Sequence, residues 1–272
     1  MGKSNNAVVV IPVYRLPLTA GEKLSLHQCV SVLGGHPIVI VKPKHLDIAS
    51  LLAEYPQLSV ESFPDEYFTS LRGYNKLVLS EAFYSRFTGY RYMLIYQLDA
   101  FVFSDELDRW TNAGYDYVGA PWIPVRRHQL EWWYRPVKKF LHSLYSLTGN
   151  SHRSDKKICV YQVGNGGFSL RKIDAMLRVI RFYRKKIDSM INDDTAPFYP
   201  EDVFLASELS SPFCRLRKPS YRKALAFAIE ENPEWGYSHN HCKLPFGCHD
   251  WDHPNYAPFW KRFIGPAAET DR

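Results

Sequence analysis

No run of about twenty apolar residues occurs in the 272-residue sequence, so no segment reads as a membrane-crossing helix. Cysteine is scarce and unpaired in number. Cys29, Cys159, Cys214, Cys242 and Cys248 are widely spaced and form no CxxC, which argues against a disulfide framework and for free thiols in a reducing compartment. Neither GxGxxG nor GxxxxGK occurs, so the sequence carries no dinucleotide fingerprint and no P-loop. Lys and Arg outnumber Asp and Glu by 34 to 28, a net charge of +6 without a basic stripe on a recognisable reader motif. Nucleic acid is therefore not an expected partner, whereas a phosphate-bearing ligand or an anionic surface is. No internal repeat and no Gly/Ser/Pro-rich linker divides the chain, which predicts one domain over 1–272 with an insertion at about 123–158. The opening MGKSNNAVVVIPVYR lacks signal-peptide architecture, because its apolar run is short and contains Pro12. Asn6 stands where a myristoylation signal wants Ser or Thr. A cytoplasmic location is expected.

What is present alternates strand with helix. Ala7 to Val13 is a β-branched run suited to a strand buried on both faces. Glu22 to Leu33 has helical spacing closed by Gly34 and Gly35, and Ile38 to Val41 is a second buried strand. This strand–helix–strand opening predicts a parallel α/β sheet. The pattern continues with a stretch around 58–63, a helix over 73–87, a strand at 92–96, a short helix at 106–112 and a strand at 115–120. Strand character resumes at 160–163, a basic helix follows over 171–186, and the tail from Asn232 reads as loop.

Four groups of residues carry potential chemistry. YMLIY runs directly into Gln97-Leu98-Asp99, and ligands of open α/β sheets sit beyond such strand ends. Asp99 could clamp a divalent cation on a diphosphate or simply cap the following turn. Gly164-Asn165-Gly166-Gly167-Phe168 allows close backbone approach to a sugar or phosphate, or forms a tight hairpin turn. Glu201-Asp202 after Pro200 suits either a general base or an acidic first helical turn. The tail gathers His239, His241, Cys242, Cys248, His249 and His253, but the spacing does not match a structural zinc site. One of these histidines near a catalytic metal or diphosphate is the better expectation.

In VVVIPVYR (8–15), GYNKLVLS (73–80), LIYQLDAFVF (94–103), YDYVGAPW (115–122), VGNGGFSLR (163–171), EDVF (201–204) and LPFGCHDW (244–251), the chain resembles the GT-A class of glycosyltransferases. Within that class it looks like a bacterial and fungal family of presumed glycosyltransferases. The resemblance implies one Rossmann-like α/β domain with a mostly parallel central sheet flanked by helices. It implies a donor site at Pro12, Val13, Tyr14, Arg15, Asn75, Lys76, Gln97 and Asp99, and acceptor-side residues Trp122, Asn165, Gly166 and Gly167. Asp99 falls on the DxD motif, Glu201 and Asp202 on the xED motif with Asp202 as base of an inverting reaction, and His249 on a late histidine that completes the metal shell.

One position departs from the pattern. Where a second DxD carboxylate belongs, this sequence has Phe101, so Asp99 and His249 are the implied ligands of Mn²⁺ or Mg²⁺. Gln97 could add a neutral oxygen, or Lys76 could neutralise the diphosphate instead. The expected reaction moves a sugar, a hexose by preference, from a nucleotide-sugar to a glycan or lipid-linked hydroxyl. A catalytically inactive nucleotide- or carbohydrate-binding protein is the alternative. Residues 126–145 combine cations with Trp132, Trp133 and Tyr145, which suits a lid or acceptor-binding insertion first, and peripheral contact with a membrane second.

Overall fold

The structure, a computed structural model, describes residues 6–123, 137, 159–192, 200–209 and 211–265. Strand β1 (Ala7–Pro12) is buried at all six positions. It lies between β2 (Ile38–Pro43) and β4 (Tyr92–Tyr96), parallel to both, and β3 (Ser59–Phe63) extends the parallel set beyond β2. With β6 (Tyr117–Gly119) and β7 (Phe168–Lys172) the sheet has the order β3-β2-β1-β4-β7-β6. Only β7 runs against its neighbours. The strand–helix alternation predicts a parallel sheet; the sheet is parallel but for β7, the mostly parallel arrangement that the resemblance implies.

The continuous apolar runs of β1 and β4 follow from burial on both faces. Val8, Val10, Met93 and Ile95 enter one core with helices α3 (Leu71–Val78) and α4 (Glu81–Ser85) and the helix Ile173–Phe182. Val9, Ile11, Leu94 and Tyr96 enter the other with α1 (Ala20–Leu33) and α2 (Ala49–Glu54). Each fully buried side chain of this size stabilises by about 1.5–3 kcal/mol, so the pairing of these strands is driven from both sides. A capping box between Thr19 and Glu22 starts α1.

Four expectations change. The helix over 73–87 is two helices, because Ser80 turns extended and its Oγ accepts from Phe83 N to cap the second. Residues 160–163 form no strand: Tyr161 has φ +64°, and Val163 makes an isolated bridge to Pro121. The basic helix is interrupted at Tyr183, whose hydroxyl bonds Cys214 O and Ser211 N, and it resumes as Arg184–Asn192. The tail is not all loop. It holds β9 (Gly247–Cys248), which joins β5 (Phe101–Val102) and β8 (Ala228–Ile229) in a second sheet of order β5-β9-β8. Most of the insertion, including the whole of 126–145 but for Val137, lies outside the described residues. Among the described residues no helix is long and apolar enough to cross a membrane.

Candidate active site

The order of strands puts a switch point between β1 and β4, and chain leaving their carboxyl ends diverges around a cavity of about 450 Å³. Pro12, Val13, Tyr14 and Arg15 line it from β1, and Gln97, Leu98 and Asp99 from β4. Residues 68–71 and Tyr74 close it from the start of α3. Tyr14 is 54% exposed. Arg15 is held by Glu22 at 2.9 Å and by Pro17 O.

The antiparallel direction of β7 brings the glycine-rich turn to the same place. Tyr96 pairs with Phe168, so the turn before β7 abuts the end of β4, and Gln97 N donates to Gly167 O at 2.7 Å. The second sheet brings the rest. β5 and β9 are antiparallel with Phe101 opposite Cys248, and one further step sets His249 beside Ala100. His249 Nε2 thus lies 3.0 Å from Asp99 Oδ1 and 3.4 Å from Gln97 Oε1. Parallel pairing of β8 with β9 places Glu230 on the other side, its Oε1 3.1 Å from His249 Nδ1.

Burial alone would lower the His249 imidazole, but carboxylates on both ring nitrogens hold it well above its ordinary value. Burial would likewise raise Asp99, yet the facing imidazolium leaves its carboxyl below the usual carboxylate range. Burial raises the neighbouring Asp250 and Asp252.

The glycines make this packing feasible. A Cβ on Gly167 would stand 1.9 Å from His249 Nε2, one on Gly166 would stand 2.6 Å from Glu201 Oε1, and one on Gly164 would enter the Trp122 ring. Asn165, at φ +73°, closes the turn itself: its Oδ1 accepts from Gly167 N and Phe168 N. Those two amides are therefore spent within the turn, and the Asn165 amide group faces Glu230.

Glu201 and Asp202 part company. Glu201 is buried and paired at 2.5 Å with Arg171, which is fully buried and also bonded to Tyr84, Ser169 and Gly166 O. Asp202 is half-buried, and its Oδ1 accepts from Val203 N at 2.7 Å. Asn75 does not face the cavity: it is buried, bonded to Leu71 O and to Glu201 N. Lys76 is exposed on α3 outside the cavity lining, and Trp122 packs with Cys159 and Val203. Leu71 and Tyr74 form the helix face that lines the cavity. Glu230 and Arg171 were not singled out from sequence. The signal for Glu230 was available, since FAIEE is an apolar stretch ending in carboxylates just as YQLD is.

The donor set fits a divalent cation only as a shared ligand. Asp99 Oδ1 is buried and lacks a well-aligned hydrogen bond among the described residues. With His249 Nε2 and Gln97 Oε1 it offers two strong donors and one neutral oxygen at one spot. No cluster of three or more His, Cys, Asp or Glu suited to a metal occurs among the described residues. Mg²⁺ and Mn²⁺ at phosphate sites use one or two carboxylates and complete their shell from substrate and water, which this set permits. Phe101 takes no part: it is buried against Phe103 and Trp251. Asp105 pairs with His36. Elsewhere in the tail, His239 stacks on Trp235, His241 and Cys242 are exposed, and His253 Nδ1 accepts from Asn255 N.

Solved glycosyltransferases share this architecture. The chain is similar to mouse xyloside xylosyltransferase 1, at 10% identity and a TM-score of 0.53 over 92% of this chain and 99% of that one. It is similar to the galactosyltransferase LgtC in complex with donor and acceptor sugar analogues, at 11% identity and a TM-score of 0.51 over 89% and 86%. A looser likeness, TM-score 0.48 at 12% identity over 74% and 70%, is to the Mn/GDP form of core-mannan synthase A from Aspergillus fumigatus. No curated protein matches the sequence. The fold is that of the GT-A glycosyltransferases. By sequence, the chain belongs to the family described as protein of unknown function (DUF5672), whose model matches residues 57–249.

Proposed function

We propose that the protein transfers a sugar, a hexose by preference, from a nucleotide-sugar to a hydroxyl of a glycan or lipid-linked acceptor. The observation that carries this reading is the meeting of Asp99, His249 and Gly167 beside Gln97, at the mouth of a cavity lined by the ends of β1 and β4. Nucleotide and diphosphate occupy that cavity, with residues 12–15 on one side and Gln97 and Asp99 on the other. Asp99 and His249 would hold a Mn²⁺ or Mg²⁺ ion, which when bound would supply positive charge for the diphosphate leaving group. The acceptor approaches over Asn165, Gly166 and Gly167. Asp202 takes the proton from its hydroxyl as the oxygen attacks the anomeric carbon, which inverts its configuration. Glu201 acts through its pair with Arg171 by fixing the turn on which the two substrates meet. A galactosyltransferase and a xylosyltransferase, each similar to this chain at a TM-score above 0.5, support the class of reaction.

The test begins with a thermal-shift screen of UDP-, GDP-, CMP- and dTDP-sugars, because a bound donor raises the melting temperature. With donor and acceptor identified, Asp202→Asn should lower kcat by about 10²–10⁴ and leave donor affinity within a few-fold. Full turnover by that variant would sink the assignment of the base. The replacement of the second carboxylate by the buried Phe101 favours a second reading, a nucleotide- or carbohydrate-binding protein without catalysis. Donor binding with neither transfer nor donor hydrolysis across an acceptor panel would select it.

A further inference from the structure

Glu230 meets the same imidazole as Asp99, from the ring's other nitrogen. Its place is set by backbone pairing. Ile229 is opposite Cys248 in the parallel pair β8–β9, and His249 N donates to Ile229 O at 3.2 Å, so Glu230 and His249 leave their strands together. A second residue clamps it. Asn165 is buried, its carbonyl accepts from Tyr117 OH at 2.6 Å, and its Oδ1 accepts two backbone amides. That fixes which end of the carboxamide faces which way: Nδ2 must point at Glu230, and it stands 2.5 Å from Oε2.

The proton arrangement follows. Asn165 Nδ2 is also 3.1 Å from His249 Nδ1. Nδ2 has a second hydrogen, but a bare Nδ1 would set its lone pair against the carboxylate oxygen Glu230 Oε1, 3.1 Å away, so Nδ1 carries a proton and donates it to Oε1. Nε2 is then the ring nitrogen turned toward Asp99 and Gln97.

We propose that Glu230, clamped by Asn165, is the positioning residue of the donor site. It keeps the proton on Nδ1 and the ring in place, so that a cation displacing the Nε2 proton meets the Nε2 lone pair beside Asp99, and so sets the affinity for a divalent cation bound with a nucleoside diphosphate. This rests on the reading of Asp99 and His249 as the donor-phosphate centre. A carboxylate on the distal nitrogen of a ligating imidazole fixes its orientation and raises its basicity, and losing one costs about 10–100-fold in metal affinity.

The test measures Mn²⁺ binding by electron paramagnetic resonance of the free ion, with saturating UDP or GDP, whichever stabilises the wild-type protein more. Glu230→Gln keeps the shape but offers an acceptor to only one of its two donors. It should weaken Mn²⁺ binding about 10–100-fold, while nucleoside diphosphate affinity in EDTA stays within about threefold of wild type. Mn²⁺ affinity unchanged in Glu230→Gln, with His249→Ala weakened, overturns the proposal. Unchanged affinity in both His249→Ala and Asp99→Asn overturns the underlying reading of the site instead. If Glu230→Gln does not fold, ¹⁵N imidazole spectra of the wild-type protein with Mg²⁺ and the same diphosphate decide: protonation at Nδ1 supports the proposal, and protonation at Nε2 alone overturns it.

Discussion

Two carboxylate clusters touch neighbouring glycines of one turn, and they are built on opposite principles. Around Gly166 the Glu201 carboxylate is 5% exposed and the Arg171 guanidinium not at all, and Tyr84, Ser169 and Asn75 complete the hydrogen bonds. Around Gly167 the Asp99 side chain is 43% exposed, and Asp99 and Glu230 share one imidazole. The first cluster is closed: every charge is met by protein, and nothing further can bind without breaking it. The second is open, with the Asp99 carboxylate facing a cavity and the imidazole beside it. A turn of small residues between a rigid anchor and an open site is a means of holding the site in register with the core.

The largest effect should come from breaking the closed cluster. Arg171→Met leaves the Glu201 carboxylate buried without its cation, and removing one partner of a buried pair costs about 3–5 kcal/mol. Urea unfolding monitored by fluorescence measures it. A loss below about 1 kcal/mol would place this pair with surface ion pairs and dissolve the contrast.

The two glycines separate the clusters by function. Neither has a positive φ, so an alanine acts through steric contact alone. Gly167→Ala should push the imidazole off its position, and a displacement of about 1 Å at a reacting centre can cost 10²-fold in rate. Transfer and Mn²⁺-dependent diphosphate binding should fall while unfolding changes little. Gly166→Ala crowds the Glu201 carboxylate and should show the converse, a clear loss of stability by urea unfolding. Equal effects of both on both measurements would mean the turn moves as one piece.

The central sheet was legible because β1 and β4 are buried on both faces and their residues are uniformly apolar. Asp99 and Gln97 were legible as the end of such a strand. The second sheet was not, since β5, β8 and β9 are two residues each and too short to show any period. Yet those pairings carry His249 and Glu230 to Asp99, so the role of Glu230 is written in register rather than in motif. Asn75 and Glu201 were legible as polar residues but not as buried ones. Their polarity suggests a cleft, whereas Glu201 pairs with a buried arginine, the fourth residue of β7, and Asn75 bonds the Glu201 backbone.

The smallest effect sharpens the comparison by its sign. In the metal-free protein, the carboxylates hold His249 above its ordinary pKa. Stability from that shift is fully present below the unfolded value, about pH 6.5, and is lost as pH rises through the folded value. Asp99 is lowered, so its contribution is present above about pH 3.9 and is lost as pH falls through its folded value. The open cluster therefore contributes most between about pH 4 and 6.5 and fades on the alkaline side. The closed cluster has no such slope near neutrality, because arginine keeps its proton throughout. Melting temperatures at pH 5.5 and 8.5 in EDTA should fall further for wild type than for His249→Gln, by a few degrees at most, while Arg171→Met should keep the wild-type difference. Parallel losses in wild type and His249→Gln would mean that the imidazole is not held between two carboxylates, and the open cluster would lose the feature that distinguishes it.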